Sequence, residues 1–286
     1  MTKIRIVARS NRDILGEGPI WSPRQNAVLW VDIVGQWIHR LSLATESVAS
    51  WNVSEPIGWI IERRNRDGYL AGLKSGFAFL WLDPLRTEKI GCPEPDRPWN
   101  RLNDAKADVF GCVWAGSMDE GQHQASGGLY RINTELRWER VDDGYSVTNG
   151  PAFSPDNRTM YHADTAKRVI YAFDLSKNGN PLRRRLWVRF QDGWGFPDGM
   201  TADVQSGIWV AHWGGGRISR FFPDGSLDRS IRMPATNITS IVFAGDDLRR
   251  MFVTSASLES ETEPAAGALF EVEAGAQGLP AQPFGA

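Results

Sequence analysis

The chain has 286 residues, close to the upper size of a single hydrophobic core, and 32 Lys and Arg against 34 Asp and Glu give it a formal net charge of −2. That balance, without any long block of one sign, excludes the electrostatic footprint of a nucleic-acid or anionic-membrane binder, and no apolar run approaches the roughly 18 residues of a membrane span. Aromatic residues make up 11% of the chain, and 29 Gly with 16 Pro punctuate it, a composition of strands and tight turns rather than long helices.

In chain order, the first segment, Lys3–Val7, alternates apolar and charged residues and predicts a short strand. The N-terminus carries no apolar h-region, so no signal peptide is expected and a cytoplasmic location follows. Beyond it one pattern recurs: an apolar segment, a turn rich in Ser, Pro, Asp and Asn, a central strand, a second turn and a third strand. The central strands read Val28–Asp32, Gly68–Gly72, Cys112–Gly116, Thr159–Ala163, Gly207–Ala211 and Arg250–Thr254, centred on Trp30, Leu70, Trp114, Tyr161, Trp209 and Phe252. These centres lie 40, 44, 47, 48 and 43 residues apart. A period in the forties with four strands' worth of sequence per unit signals a propeller, because one blade cannot bury both its faces and must stack on its neighbours. The predicted fold is an all-β six-bladed β-propeller over residues 1–286 as a single domain, with Lys3–Val7 closing the ring against the last blade and removing two free edges. Arg183-Arg184-Arg185 reads as a solvated strand edge. Cys92 and Cys112, outside any CxxC spacing, read as reduced structural thiols.

Inner strands of a propeller line its channel, so equivalent positions near their starts encircle one mouth. Phasing back from the central residues puts Glu17, Ile57, Asn103, Asn149, Asp198 and Thr239 at one level, four of them carboxylates or carboxamides. Glu17, Asn149 and Asp198 would converge as oxygen donors suited to a hard divalent cation, with positions left over for water or substrate. The other reading is that they cap the turns before the inner strands by bonding their own backbone.

Gly16–Trp21 (GEGPIW), Arg101–Asp104 (RLND), Trp114–Met118 (WAGSM), Thr148–Asp156 (TNGPAFSPD) and Pro197–Thr201 (PDGMT) resemble, in order, the motifs of the senescence marker protein/gluconolactonase/luciferin-regenerating family. The resemblance implies a six-bladed propeller with one divalent metal in its central channel, held by Glu17, Asn149 and Asp198. It further implies that Arg101 and Asn103 contact substrate oxygens and that Glu120, where the family often places an acid, meets sugar hydroxyls. Ca2+ and Zn2+ lead the expected cations, and Mg2+, Mn2+ and Fe2+ suit the same donors. A lysine found near the site in some animal members has no counterpart in the loop 142–148.

Many members of the family hydrolyse sugar lactones. The implied activity is therefore metal-dependent opening of an aldonolactone, such as glucono-, xylono- or arabinonolactone, to its aldonic acid, with a sugar lactone as partner and Asp198 as both ligand and base. Two other classes stay open: a regucalcin-like calcium-binding propeller without turnover, and an esterase or organophosphatase with a wide apolar pocket rimmed by Trp59, Trp194 and Trp213. Nucleophile schemes lack the residues for them, since neither GxSxG nor HExxH occurs and His39, His123, His162 and His212 fall in separate repeats. His162 and His212 read as packed strand residues, with His212 and Trp213 also candidates for shaping the pocket. His123 reads as a solvent-exposed loop residue or a lid over the mouth.

Overall fold

The computed structural model describes residues 2–285. A short strand, β1 (Ile4–Ile6), precedes the first blade, which comprises β2 (Gly16–Ser22), β3 (Ala27–Asp32), β4 (Trp37–Ser42) and β5 (Val48–Asn52). Blade two is β6 (Ile57–Glu62), β7 (Tyr69–Leu73), β8 (Gly76–Leu82) and β9 (Leu85–Gly91), and blade three is β10 (Asn100–Ala107), β11 (Val113–Asp119), β12 (Gly127–Ile132) and β13 (Trp138–Tyr145). Blade four is β14 (Thr148–Phe153), β15 (Thr159–Asp164), β16 (Val169–Leu175) and β17 (Pro181–Arg189), and blade five is β18 (Phe196–Ala202), β19 (Ile208–Trp213), β20 (Arg217–Phe221) and β21 (Leu227–Arg232). The last blade has only β22 (Ile238–Ala244), β23 (Arg250–Ser255) and β24 (Phe270–Val272) from its own stretch of chain. Its fourth strand is β1, which pairs antiparallel with β24 through Ile4 to Val272 and Ile6 to Phe270. The alternation in Lys3–Val7 thus closes the ring, and the inner strands β2, β6, β10, β14, β18 and β22 touch in that order until β22 returns to β2.

Why the second strand of each blade is so apolar follows from this stacking. Successive side chains point to opposite faces, and both faces are interfaces. Val28 and Trp30 of β3 pack toward the last blade, while Leu29 and Val31 pack toward blade two. Six hydrophobic clusters result, one at each blade interface, and they absorb most of the Trp and Phe. Leu70, Trp114, Tyr161, Trp209 and Phe252 each face the following blade, as the repeat requires. Trp30 is the exception. It faces back, where its indole N–H donates to Asp13 Oδ2 at 2.9 Å, so Leu29 is the residue in phase and the spacing read from the sequence was one residue out in blade one.

Buried indoles elsewhere are held by turn aspartates. Trp114 donates to Asp108 and Trp209 to Asp203, each at 2.9 Å, and each aspartate also pairs with an arginine on the next strand, Arg131 at 3.5 Å or Arg220 at 2.6 Å. On the outside of blade four, Arg183 and Arg185 reach Asp174 and Arg184 reaches Asp142, an exposed charged edge as anticipated. Cys92 and Cys112 are both free thiols.

The end of the chain does not join a blade. Val204 N–H donates to Gln277 O and Gly278 N–H to Leu248 O at blades five and six. Seven residues on, Phe284 N–H donates to Glu62 O, Arg64 N–H to Phe284 O and Gly285 N–H to Gly111 O, at blades two and three. The segment between therefore spans the channel at the end where the inner strands finish. Among the described residues no helix is long and apolar enough to cross a membrane.

Candidate functional site

All six inner strands break register with their partners at the same level. A β-bulge re-aims side chains and disrupts the ladder locally, which is how a strand buried on both faces can turn polar groups into the channel. Glu17, Asn103, Asn149 and Asp198 sit at or beside these bulges and are each at most 6% exposed. At the same level Ile57 is apolar, and Thr239 is spent on Thr254 Oγ1 and Gly16 O. The polar side of the ring therefore belongs to blades one, three, four and five. Gly58, beside Ile57, is needed there because a Cβ would stand 2.5 Å from Asn103 O and hold β6 away from β10.

One hydrogen-bonded chain links three of those blades. Arg101 Nη1 donates to Asn103 Oδ1 (2.5 Å), and Asn103 Nδ2 donates to Asn149 Oδ1 (3.0 Å) as well as to Thr148 O (2.6 Å). Asn149 Nδ2 donates to Thr165 Oγ1 (2.9 Å), whose hydroxyl donates to Pro197 O (2.7 Å), next to Asp198. The chain fixes which way each carboxamide points. Asn149 is left with its oxygen, an acceptor with a second lone pair, on the ring side.

The electrostatics of the ring are those of uncompensated negative charge. Burial, then the neighbouring charge of Asp104, hold the Glu17 carboxyl far above the usual range, and burial, then Glu17 and Asp104, do the same to Asp198. Asp104 is raised by burial too, with Lys106 opposing. Three carboxylates stand against two cations, Arg101 and Lys106, whose own protonation burial disfavours. Among the described residues no three His, Cys, Asp or Glu side chains form a site by themselves. Glu17 and Asp198 contribute carboxylates to the ring and Asn149 a carboxamide oxygen, donor types that suit a hard divalent cation. Asp104 closes the motif Arg101–Asp104 but carries no assigned role there, and Lys106 is a further member of this group that the motifs do not contain. The signal was present in the dipeptide Asn103-Asp104, since a bulge admits two neighbouring side chains to the same region.

A sequence pattern described as the SMP-30/Gluconolactonase/LRE-like region matches residues 15–257. The chain belongs to that family. Over 263 residues it is 33% identical to the 6-deoxy-6-sulfogluconolactonase of Pseudomonas putida, covering 90% of each chain. Over 289 residues it is 32% identical to the regucalcin of Danio rerio, covering 97% of each. The solved luciferin-regenerating enzyme superimposes with a TM-score of 0.94 across the whole of both chains at 25% identity.

In this SMP-30/gluconolactonase/LRE-like protein the mouth above the ring is built by the loops of blades two and three. A cleft of about 400 Å³ lies beside Arg101, lined by Lys74, Glu94, Arg97 and Asn100. Lys74 forms an ion pair with Glu120 across the two blades, and Glu120 is the foremost charge favouring the protonated Arg101 guanidinium. Glu120 is thus at the mouth with Arg101, and Lys74 is a lysine at the site that the loop 142–148 had not offered. His123 is solvent-exposed, its side chain 86% accessible. His212 is fully buried against Phe190 and Trp194, and its Nδ1–H donates to Trp194 O at 2.7 Å, so it does not reach the channel. An apolar rim of Trp59, Trp194 and Trp213 does not form: Trp59 is 1% exposed between blades two and three, and Trp194 packs on Phe190 and Phe221. A larger chamber of about 620 Å³ lies below the ring, lined by the later halves of all six inner strands and by Leu279–Pro283.

Proposed function

We propose that this protein hydrolyses an aldonolactone, of the glucono-, xylono- or arabinonolactone kind, to the aldonic acid with the help of a divalent cation held by Glu17, Asn149 and Asp198. The observation that carries the reading is the continuous hydrogen-bonded chain from Arg101 at the mouth through Asn103 to Asn149, which couples a substrate-facing donor to the oxygen-donor ring. Membership of a family named in part for gluconolactonase, and 33% identity to a sulfogluconolactonase, support lactone ring opening as the reaction class. Calcium and zinc are the first cations to try, with magnesium, manganese and ferrous iron behind them.

When bound, such a cation would polarise the lactone carbonyl and make a water more acidic. Arg101 spends Nη1 on Asn103 and on Leu102 O, leaving Nε and Nη2 to orient the lactone oxygens as a planar fork. Glu120, steadied by Lys74, meets the hydroxyls at the open end of the sugar. Asp198 takes a proton from the attacking water, its carboxylate standing in the ring within hydrogen-bond reach of Glu17. Water oxygen bonds to the carbonyl carbon, the ring C–O bond breaks, and the departing ring oxygen receives the proton from Asp198 to become a hydroxyl.

A panel of aldonolactones, followed by proton release in weak buffer after chelation and again with each cation restored, tests substrate and cation together. Acceleration confined to lactones with a restored cation is expected. No acceleration for any lactone with any cation would overturn the assignment.

A further inference from the structure

Asp104 and Lys106 lie two residues apart on β10, on the same face of the strand, just below the ring. Their contacts run across blades. Asp104 Oδ2 accepts the N–H of Gly150 at 3.0 Å, on the residue after Asn149, while Oδ1 accepts from Ala105 N–H at 2.7 Å. Lys106 Nζ donates to Met200 O at 2.8 Å, two residues after Asp198. Strands β10 and β18 are not neighbours in the ring, because β14 stands between them. The lysine side chain therefore spans beneath β14 to reach β18. Met200 in turn lies against Gly150, where an added Cβ would stand 3.1 Å from its Cε. Asp104, Gly150, Met200 and Lys106 close a loop under the two strands that carry Asn149 and Asp198.

We propose that Asp104 and Lys106 are positioning residues that fix the spacing between Asn149 and Asp198, and so set which size of divalent cation the site prefers. The proposal rests on the cation reading above. Oxygen ligands stand at about 2.3–2.6 Å from calcium and about 2.0–2.1 Å from magnesium, so discrimination between them depends on how rigidly donors are held apart. A strut that ties blade three to both blade four and blade five holds them rigidly. Neutralising Asp104 would be the other use for Lys106, and the two roles separate cleanly. Calcium and magnesium carry the same charge, so a purely electrostatic change moves both affinities by the same factor and leaves their ratio alone.

Calorimetric titration of the chelated full-length protein with Ca2+ and with Mg2+ measures that ratio. Lys106→Met removes the donor and the charge; Lys106→Gln removes the charge and keeps a shorter donor, and serves if the first variant does not fold. We expect the ratio of the two dissociation constants to move toward one by about fivefold or more in either variant, with the melting temperature reported alongside. An unchanged ratio in a folded variant, or a parental protein that already discriminates less than about twofold, would overturn the positioning role while leaving the cation reading in place. A parental protein that binds neither cation removes both.

Discussion

Asp198 and Arg101 have separable contributions under the proposed reaction. Asp198→Ala deletes a cation donor and the base together, so kcat on the best lactone should fall by about a thousandfold or more, with circular dichroism unchanged. Arg101→Lys keeps the charge and loses the fork, and steady-state kinetics should show KM rising by about tenfold while kcat changes less. Two residues outside the site carry a pH dependence. His162 and His212 are buried, and burial pushes both imidazoles down to about 4 from an ordinary 6.5. A depressed folded-state value stabilises the fold fully above pH 6.5, and that contribution is lost as pH falls toward 4, because the unfolded chain takes up protons that the folded chain refuses. The loss amounts to roughly 3 kcal/mol per ring at most. Denaturant titrations at pH 7 and pH 4.5 should therefore converge in His162→Leu relative to the parent; an unaltered difference would place the acid sensitivity elsewhere. At this scale the phase of the repeat found Glu17, Asn103, Asn149 and Asp198 because each occupies one repeating position. It reached Asp104 beside Asn103 without assigning it a role and did not reach Lys106, because their partners Gly150 and Met200 are on other blades.

Among elements, the inner strands and the turns after them do different jobs. The bulges open the ladder for function, while the turn aspartates close it for stability. Asp203 accepts from Trp209 Nε1 at 2.9 Å, from Arg220 Nε at 2.6 Å and Nη2 at 3.1 Å, and from Gly207 N–H at 2.9 Å, at 1% exposure. Asp203→Ala leaves a buried guanidinium short of its countercharge, and breaking a buried pair from one side costs about 3–5 kcal/mol. Chemical denaturation should show a loss of that size, with cation binding retained in the folded fraction; a loss under about 1 kcal/mol would mean that Asp228, the other partner of Arg220, suffices. The central strands were legible from their apolar runs. The one-residue error at Trp30 arose because a large aromatic was taken as the phase marker, whereas Asp13 draws that indole to the opposite face.

For the whole molecule, the ring is fastened twice. Strand β1 supplies the outer edge of the last blade, and Val7 packs with Trp21, Trp30 and Phe252 at the interface between last and first blades. Removing residues 1–9 exposes that interface and the edge of β24, so thermal unfolding should begin at a lower temperature and lose its single sharp transition. Unchanged melting would show that the closure is dispensable. The first fastening was readable because Lys3–Val7 alternates. The second was not, since the Gly-, Ala-, Pro- and Gln-rich segment after Ala276 has no periodicity and is held by backbone hydrogen bonds and the buried Phe284 ring.

That second fastening bears on traffic. Leu279–Pro283 crosses the chamber below the ring without closing it, since Pro23, Arg24 and Val109 in the same wall are exposed, so the underside of the ring stays open to solvent beside the bar. Under the proposed reaction the acid product rebinds the site its lactone occupied and should inhibit competitively against it. Ending the chain at Ala276 should leave that pattern competitive and lower the melting temperature, because the backbone hydrogen bonds of Phe284 and Gly285 and the buried Phe284 ring are lost.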